Sequence, residues 1–246
     1  MSKKLLSPVD LLLAPELSEK EIKEVYKRYW FEDAEKADKN LQAIAKEPYV
    51  RKLLSEIIEP LFNQIKDSPD PDMVLNNLER FCSAAFDIRI FISQLKANPK
   101  LPFLLINLFS TSQFLSDILI RNPEYLWWLI EERAIDTSKN REDLIRELRA
   151  NISALVSFEK RLNAMRRFRR REILRIGLKD ILGYEDVVNV TLELSELADS
   201  LLQVAYELCL EELTKKYGRP MFKDSDDNFK EAGYAIIGMG KLGGEE

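Results

Sequence analysis

The chain has 246 residues, 46% of them hydrophobic and 32% charged, with a net charge of −5. That balance is ordinary for a soluble globular protein with room for one or two real cores. It contains no histidine and only two cysteines, which excludes Ser-His and Cys-His nucleophilic catalysis and makes a structural zinc site implausible.

Any metal would be a hard ion held by carboxylates. The longest uncharged apolar stretch, Leu101–Phe109, is far short of the ~20 residues of a membrane span. The opening Met-Ser-Lys-Lys-Leu-Leu has no small-residue cleavage site behind it. No membrane partner is expected, and Cys82 and Cys209 read as small core residues in a reducing cytoplasm. With few glycines and prolines, the composition favours helix.

Residues 1–18 form a loose lead-in. Ser18 and Glu21 make a capping box, followed at helical spacing by Ile22, Val25, Tyr26 and Trp30. Val50, Leu53, Leu54, Ile57, Ile58 and Leu61 form a continuous helical stripe. The run 67–72 has two prolines and is expected to be a loop. Met73 to Leu95 reads as one or two helices, and the stripes together as the core of a helical bundle. Pro99 and Pro102 mark the next break. Ser110 with Gln113 predicts another capping box, and Asn122-Pro-Glu predicts a helix start with Asn122 as N-cap. Trp127 and Trp128 are either core rings or an interaction patch.

Leu155 to Leu182 is a basic amphipathic helix. Between Val156 and Arg175 stand eight basic and two acidic residues, set against an apolar face of Leu162, Met165, Phe168, Ile173 and Ile176. Two readings stay open: a solvated face paired with acidic neighbours, or an anion or partner contact through Arg167, Arg170 and Arg171, since a guanidinium can bind phosphate with two hydrogen bonds. Nucleic acid is not expected, because no second basic stripe extends the surface. Gly183 is placed as a C-cap. A helix from about Val187 to Lys216, roughly 45 Å long, is expected to bury Leu194, Leu197, Ala198, Leu201, Ala205, Leu208 and Leu213 and to expose Glu193, Glu196, Asp199 and Glu207. Gly218 and Pro220 end it. Asp224-Ser-Asp-Asp227 reads as a solvated turn.

Five of the eight glycines fall between Gly233 and Gly244. Tyr234–Ile237 reads as a short buried strand running into a glycine-rich turn, a device for aiming backbone N–H groups at phosphate. The Walker A pattern fails, with Met239 where lysine belongs. Gly238, Gly240 and Gly243 meet G-x-G-x-x-G literally, but the helix and acid of a dinucleotide fold are not seen. The third template is a nucleotidyltransferase turn. Here Gly238-Met-Gly-Lys-Leu-Gly-Gly-Glu-Glu246 resembles the motif of the bifunctional glutamine synthetase adenylyltransferase/adenylyl-removing enzymes. Arg167–Ile176 with Leu182-Gly183, Leu194–Asp199 with Tyr217–Pro220, and Arg121–Glu124 are similar to that family as well. The resemblance covers about residues 100–246.

The resemblance implies a mainly α chain, a helical bundle leading into the first strand of a truncated nucleotidyltransferase (polymerase-β-like) α/β domain, with 1–100 an N-terminal helical region and 101–246 the first part of the nucleotidyltransferase domain, ending before its Asp-x-Asp metal site. It implies a role in adding AMP to, or removing it from, a tyrosine of glutamine synthetase, with this half the adenylyl-removing one, acting by phosphorolysis to ADP. Phosphate contacts are expected at Gly238, Gly240, Lys241, Gly243 and Gly244. The family's Asp-x-Asp metal pair follows its glycine turn and is not found before Glu246. No catalytic or metal-binding residue is therefore assigned here, and the chain alone is expected to be inactive. Mg²⁺ and ATP or ADP are implied for the intact enzyme, with none held tightly by this stretch. Glutamine synthetase and a small nitrogen-signalling protein are the implied partners. A different class remains: a helical interaction module that binds glutamine synthetase or a regulator without nucleotide chemistry.

Overall fold

The computed structural model describes residues 5–131 and 134–244, and the chain divides into two compact units, Met1–Glu132 and Arg133–Glu246. Both are mainly helical, and short polar side chains set most helix starts. In the first unit α1 (Pro8–Leu13) and α2 (Glu19–Arg28) open on capping boxes, Ser7 with Asp10 and Ser18 with Glu21. Aspartates cap three more: Asp33 for α3 (Ala34–Ile44), Asp70 for α6 (Pro71–Ala84) and Asp87 for α7 (Ile88–Ala97), each carboxylate accepting an N–H of the first turn.

The stripe from Val50 to Leu61 is broken into α4 (Pro48–Ser55) and α5 (Ile58–Lys66). Pro60 is the reason. Its ring would collide with the carbonyl four residues back and it has no N–H, so it fits only in the first turn of a new helix. Pro102 behaves the same way. It does not break the chain but lies in the first turn of α8 (Lys100–Thr111), where N–H groups have no intrahelical acceptor. One expected cap also moves. Ser112, not Ser110, caps α9 (Gln113–Arg121), accepting from Leu115 N, while Ser110 is buried in α8. Asn122 closes α9, its Nδ2 donating to Ile118 O at 2.8 Å. In α10 (Glu124–Glu131), Tyr125, Leu126 and Leu129 are buried and Trp127 and Trp128 are half-buried.

Helix α6 packs on α3, α8 and α9; α4 lies on α7, and α1 on α4 and α5. Phe81 joins three of these surfaces, its ring 4.9 Å from Phe91 and 6.2 Å from Phe109. Tyr26, Phe31 and Phe62 form a second aromatic group with centroids 5.3–5.9 Å apart. The Tyr26 hydroxyl donates to Asp38, and burial together with that carboxylate pushes its pKa far up.

The second unit begins with a 3-10 turn, Ala134–Asp136, and three helices: α11 (Arg141–Ser153), α12 (Phe158–Ile181) and α13 (Val187–Tyr217). Both α11 and α12 pack along α13 over Leu144, Leu148, Met165, Phe168, Ile176, Leu197, Val204 and Leu208. Helix α12 ends in a Schellman motif: Gly183, at φ 66°, donates to Asp180 O, and Tyr184 donates to Lys179 O.

The buried face of α13 differs from the expected one. It runs through Val190, Glu193, Leu197, Ser200, Val204 and Leu208, leaving Leu194 and Leu213 exposed. Glu193 is drawn inward by cations on α12, which rotates the stripe. Cys82 is buried, but Cys209, beside Leu208, is exposed and not a core residue. Beyond α13 a small antiparallel hairpin pairs β1 (Met221–Lys223) with β2 (Phe229–Glu231). Its turn is the expected acidic one, with the Asp224 carboxylate accepting from Asp226 N and Asn228 N. Among the described residues no helix is long and apolar enough to cross a membrane.

Candidate phosphate turn and buried charge cluster

Residues 232–239 form no regular secondary structure, and Tyr234–Ile237 is not the buried strand that the sequence suggests. No described strand lies beside it, because β1 and β2 pair only with each other. Tyr234 is 72% exposed and Ile237 81%. What anchors the segment is Tyr234, which stacks on Tyr206 of α13 at 5.7 Å between centroids and 11° between planes.

The chain then reverses. Gly240 takes φ 66°, and α14 (Lys241–Gly244) begins at once, with Gly244 N donating to Gly240 O at 3.0 Å. The reversal brings Gly243 under Gly238. A Cβ on Gly243 would stand 2.7 Å from the Gly238 carbonyl oxygen, closer than real contacts allow, so only glycine fits there. The N–H groups of residues 241–243 occupy a first helical turn, where no intrahelical acceptor exists. Four of the expected phosphate contacts, Gly238, Gly240, Gly243 and Gly244, are thus brought together in one turn. The side chain of Lys241 lies outside the described residues. Beside the turn opens a cleft of about 370 Å³, lined by Arg141, Asp199, Tyr206, Tyr234 and Gly238 among others.

The arginine-rich helix divides its charges between two faces. Arg167 and Arg170 are exposed, and Arg170 Nε donates to Arg166 O. Arg171 turns toward Glu147 and Glu172. It belongs to a cluster that the sequence reading left unassembled. Arg175 is fully buried, its Nε donating to Glu172 Oε2 at 2.7 Å and its Nη1 to Thr137 O at 2.9 Å. Its Nη2 stands 2.7 Å from Glu193 Oε2 at an angle too poor for a hydrogen bond. Lys179 pairs with Glu193 and with Glu185 at 3.0 Å. Lys139 bridges Glu147 and Glu172 at 2.6 and 2.9 Å. Burial alone would raise the Glu172 carboxyl, but the charges and hydrogen bonds of Lys139 and Arg175 outweigh it and hold the group below its ordinary range. A signal was present in the sequence: Phe168, Glu172, Arg175 and Lys179, spaced by four, three and four, share one helical face.

Among the described residues no three His, Cys, Asp or Glu side chains come together to hold a metal ion. These residues do not fit a magnesium site, and no metal step is assigned to them.

Residues 103–246 match the family model described as glutamate-ammonia ligase adenylyltransferase. The chain is 29% identical over 198 residues to a bifunctional glutamine synthetase adenylyltransferase/adenylyl-removing enzyme of Thioalkalivibrio sulfidiphilus, covering 80% of this chain and 20% of that protein. The enzyme of the same name from Mycolicibacterium smegmatis is 30% identical over 196 residues, 78% of this chain and 18% of its own length. That from Shewanella woodyi is 33% identical over 135 residues, 55% and 14%. The chain thus spans about a fifth of the length of these relatives. With the match running through the charged helix, the long helix and the glycine turn, the chain belongs to the glutamate-ammonia ligase adenylyltransferase family.

Proposed function

We propose that this chain forms part of an enzyme that adds or removes AMP on a tyrosine of glutamine synthetase, and that its turn from Gly238 to Gly244 receives phosphate groups in the adenylyl-removing reaction. In that reaction an oxygen of inorganic phosphate bonds to the adenylyl phosphorus. The bond from phosphorus to the tyrosine oxygen breaks, that oxygen takes a proton, and ADP leaves. The contribution of this chain is positional. Backbone N–H groups of 241–243, fixed by the close crossing of Gly238 and Gly243, donate to phosphate oxygens that gain charge in the transition state. Exposed Arg167 and Arg170 are second candidates for contact with nucleotide or partner. Mg²⁺, when bound, supplies charge neutralisation and alignment; no described residue is assigned to it. The reading carries with it ATP or ADP as ligand, a cytoplasmic setting, and a small nitrogen-signalling protein as regulator.

The observation behind this reading is the 2.7 Å approach at Gly243. Adenylylated glutamine synthetase, phosphate and Mg²⁺ are given to a full-length enzyme containing this sequence, and ADP is followed. Gly243→Ala should cut ADP release by about 10²-fold, the scale of losing a preorganised donor, with the helical content unchanged. Unchanged release would remove the turn from the chemistry. Binding to glutamine synthetase that no nucleotide affects would favour an interaction module instead.

A further inference from the structure

The outer face of α12 carries charge that the fold does not use. Arg166, Arg167, Arg169 and Arg170 are all exposed within roughly 6 Å of helix axis. Arg166 stands three residues from Arg169 and four from Arg170, and Arg167 three from Arg170. Like charges at these spacings are neighbours on the surface and destabilise a helix. Cations on the inner faces of α12 are paired instead. Arg161 meets Glu211 at 3.1 Å, Arg175 meets Glu172 at 2.7 Å, and Arg171 meets Glu147. Among the described residues Arg166, Arg169 and Arg170 meet no carboxylate. Arg166 Nη1 donates to Asn163 Oδ1 at 2.6 Å, and Arg170 Nε donates to Arg166 O at 3.2 Å.

Shape and charge narrow what this row can receive. An exposed helix face is convex, whereas small-molecule sites are concave, so a free nucleotide is a poor fit. A nucleic acid would approach a chain with a net charge of −5, which repels a polyanion beyond the short reach of the row. A protein surface carrying a few carboxylates is the remaining complement. A guanidinium binds a carboxylate through two parallel hydrogen bonds, and arginine is enriched among the residues that dominate protein interfaces. Carboxylates three and four residues apart on a helix would match the spacing of the row, about 5–6 Å.

We infer that this face, through Arg166, Arg169 and Arg170, docks an acidic surface of the protein substrate, glutamine synthetase. The inference rests on the substrate proposed above, and it gives Arg170 to that protein rather than to nucleotide. Exposed charges of this kind act mainly on the rate of encounter. The row brings the modified protein to the enzyme and touches none of the reacting atoms.

The test measures the affinity of a full-length enzyme containing this sequence for adenylylated glutamine synthetase, by surface plasmon resonance at about 0.05 M and about 0.5 M salt. Arg166→Glu and Arg169→Glu should each weaken binding by about tenfold at low salt, chiefly through slower association. The loss should shrink toward nothing at high salt, where exposed charges are screened. Arg146→Glu makes the same charge change at an exposed site on α11 and should stay within about twofold of the parent. Affinity that neither α12 variant changes, or that Arg146→Glu lowers as much, overturns the docking face and leaves the proposed substrate standing. A loss undiminished at high salt overturns docking by charge. Capture of a single-stranded oligonucleotide that both α12 variants abolish, with glutamine synthetase binding intact, gives the face to nucleic acid instead. No affinity of the parent enzyme for glutamine synthetase overturns the substrate reading and the docking face with it.

Discussion

Glu172 shows how far a single residue can constrain this molecule. It is fully buried between Lys139, Arg171 and Arg175. A buried ion pair gains little over apolar packing, but removing one partner leaves the other charge stranded. Glu172→Gln takes from buried Arg175 the carboxylate that accepts from its Nε, and from Lys139 and Arg171 one carboxylate while Glu147 remains to both. We expect it to cost about 3 kcal/mol, the low end for a broken buried pair, read as a lower urea midpoint for the second unit. Arg146, 76% exposed and paired with Asp143, provides the contrast: Arg146→Ala should cost less than about 1 kcal/mol. At this scale the sequence was legible in part. The richness of the helix in arginine was plain, and so was the alternative of pairing with acids. Which arginines turn inward was not, because Glu147 and Glu193 reach Arg171, Arg175 and Lys179 from other helices. Only tertiary packing brings those groups together.

Two helices end alike with different residues at the critical position. Helix α12 closes through Gly183 at φ 66°; α2 closes through Trp30 at φ 64°, with Trp30 N donating to Lys27 O and Phe31 N to Tyr26 O, again a Schellman pattern. A side chain in this conformation costs about 1–2 kcal/mol. A Cβ on Gly183 would meet nothing within 4 Å, so Gly183→Ala should lose that amount and no more. Trp30→Gly regains it but gives up the contact with Lys66, whose Nζ lies 6.0 Å from the ring, about 0.5–1 kcal/mol at an exposed site. A net gain of up to about 1 kcal/mol is expected in the denaturant midpoint of the first unit. A clear loss would show that the ring is held for packing not visible in its exposure of 67%. Element starts and stops were the most legible part of the sequence, since Ser18, Gly183 and Gly218 act locally. Pro102 was misleading because a proline in a first turn opens a helix, whereas one further along breaks it; Pro60 was overlooked inside the stripe that it divides. Tyr234–Ile237 had the pattern of a strand, but a strand also needs a neighbour to pair with, which a pattern within one segment does not reveal.

For the whole chain, the absence of histidine is a statement about pH. No side chain with an ordinary pKa between about 5 and 8 is present, so the urea midpoint should be flat from about pH 5.5 to 7.5. The acid limb is different. Glu172, Glu185 and Glu207 are all held below the ordinary carboxylate value of 4.5, Glu185 by the hydrogen bond from Lys179 and Glu207 by that from Arg149. A folded pKa below the unfolded one means that the unfolded state binds more protons in that window. The stability from these groups is fully present above pH 4.5 and is lost as pH falls through their folded values. Salt separates the contributions. Arg149–Glu207 is well exposed, with side chains 54% and 36% accessible, and its part should fade at 1 M salt, where screening acts within about 3 Å. The part from Glu172 is shielded from water and should persist. Glu172→Gln should therefore show a shallower acid limb than the parent chain, with a difference that survives in high salt. An inflection between pH 6 and 7 would require a strongly displaced carboxyl that none of these groups provides. Equal acid limbs for parent and variant would mean that the cluster keeps its pairing in the unfolded chain.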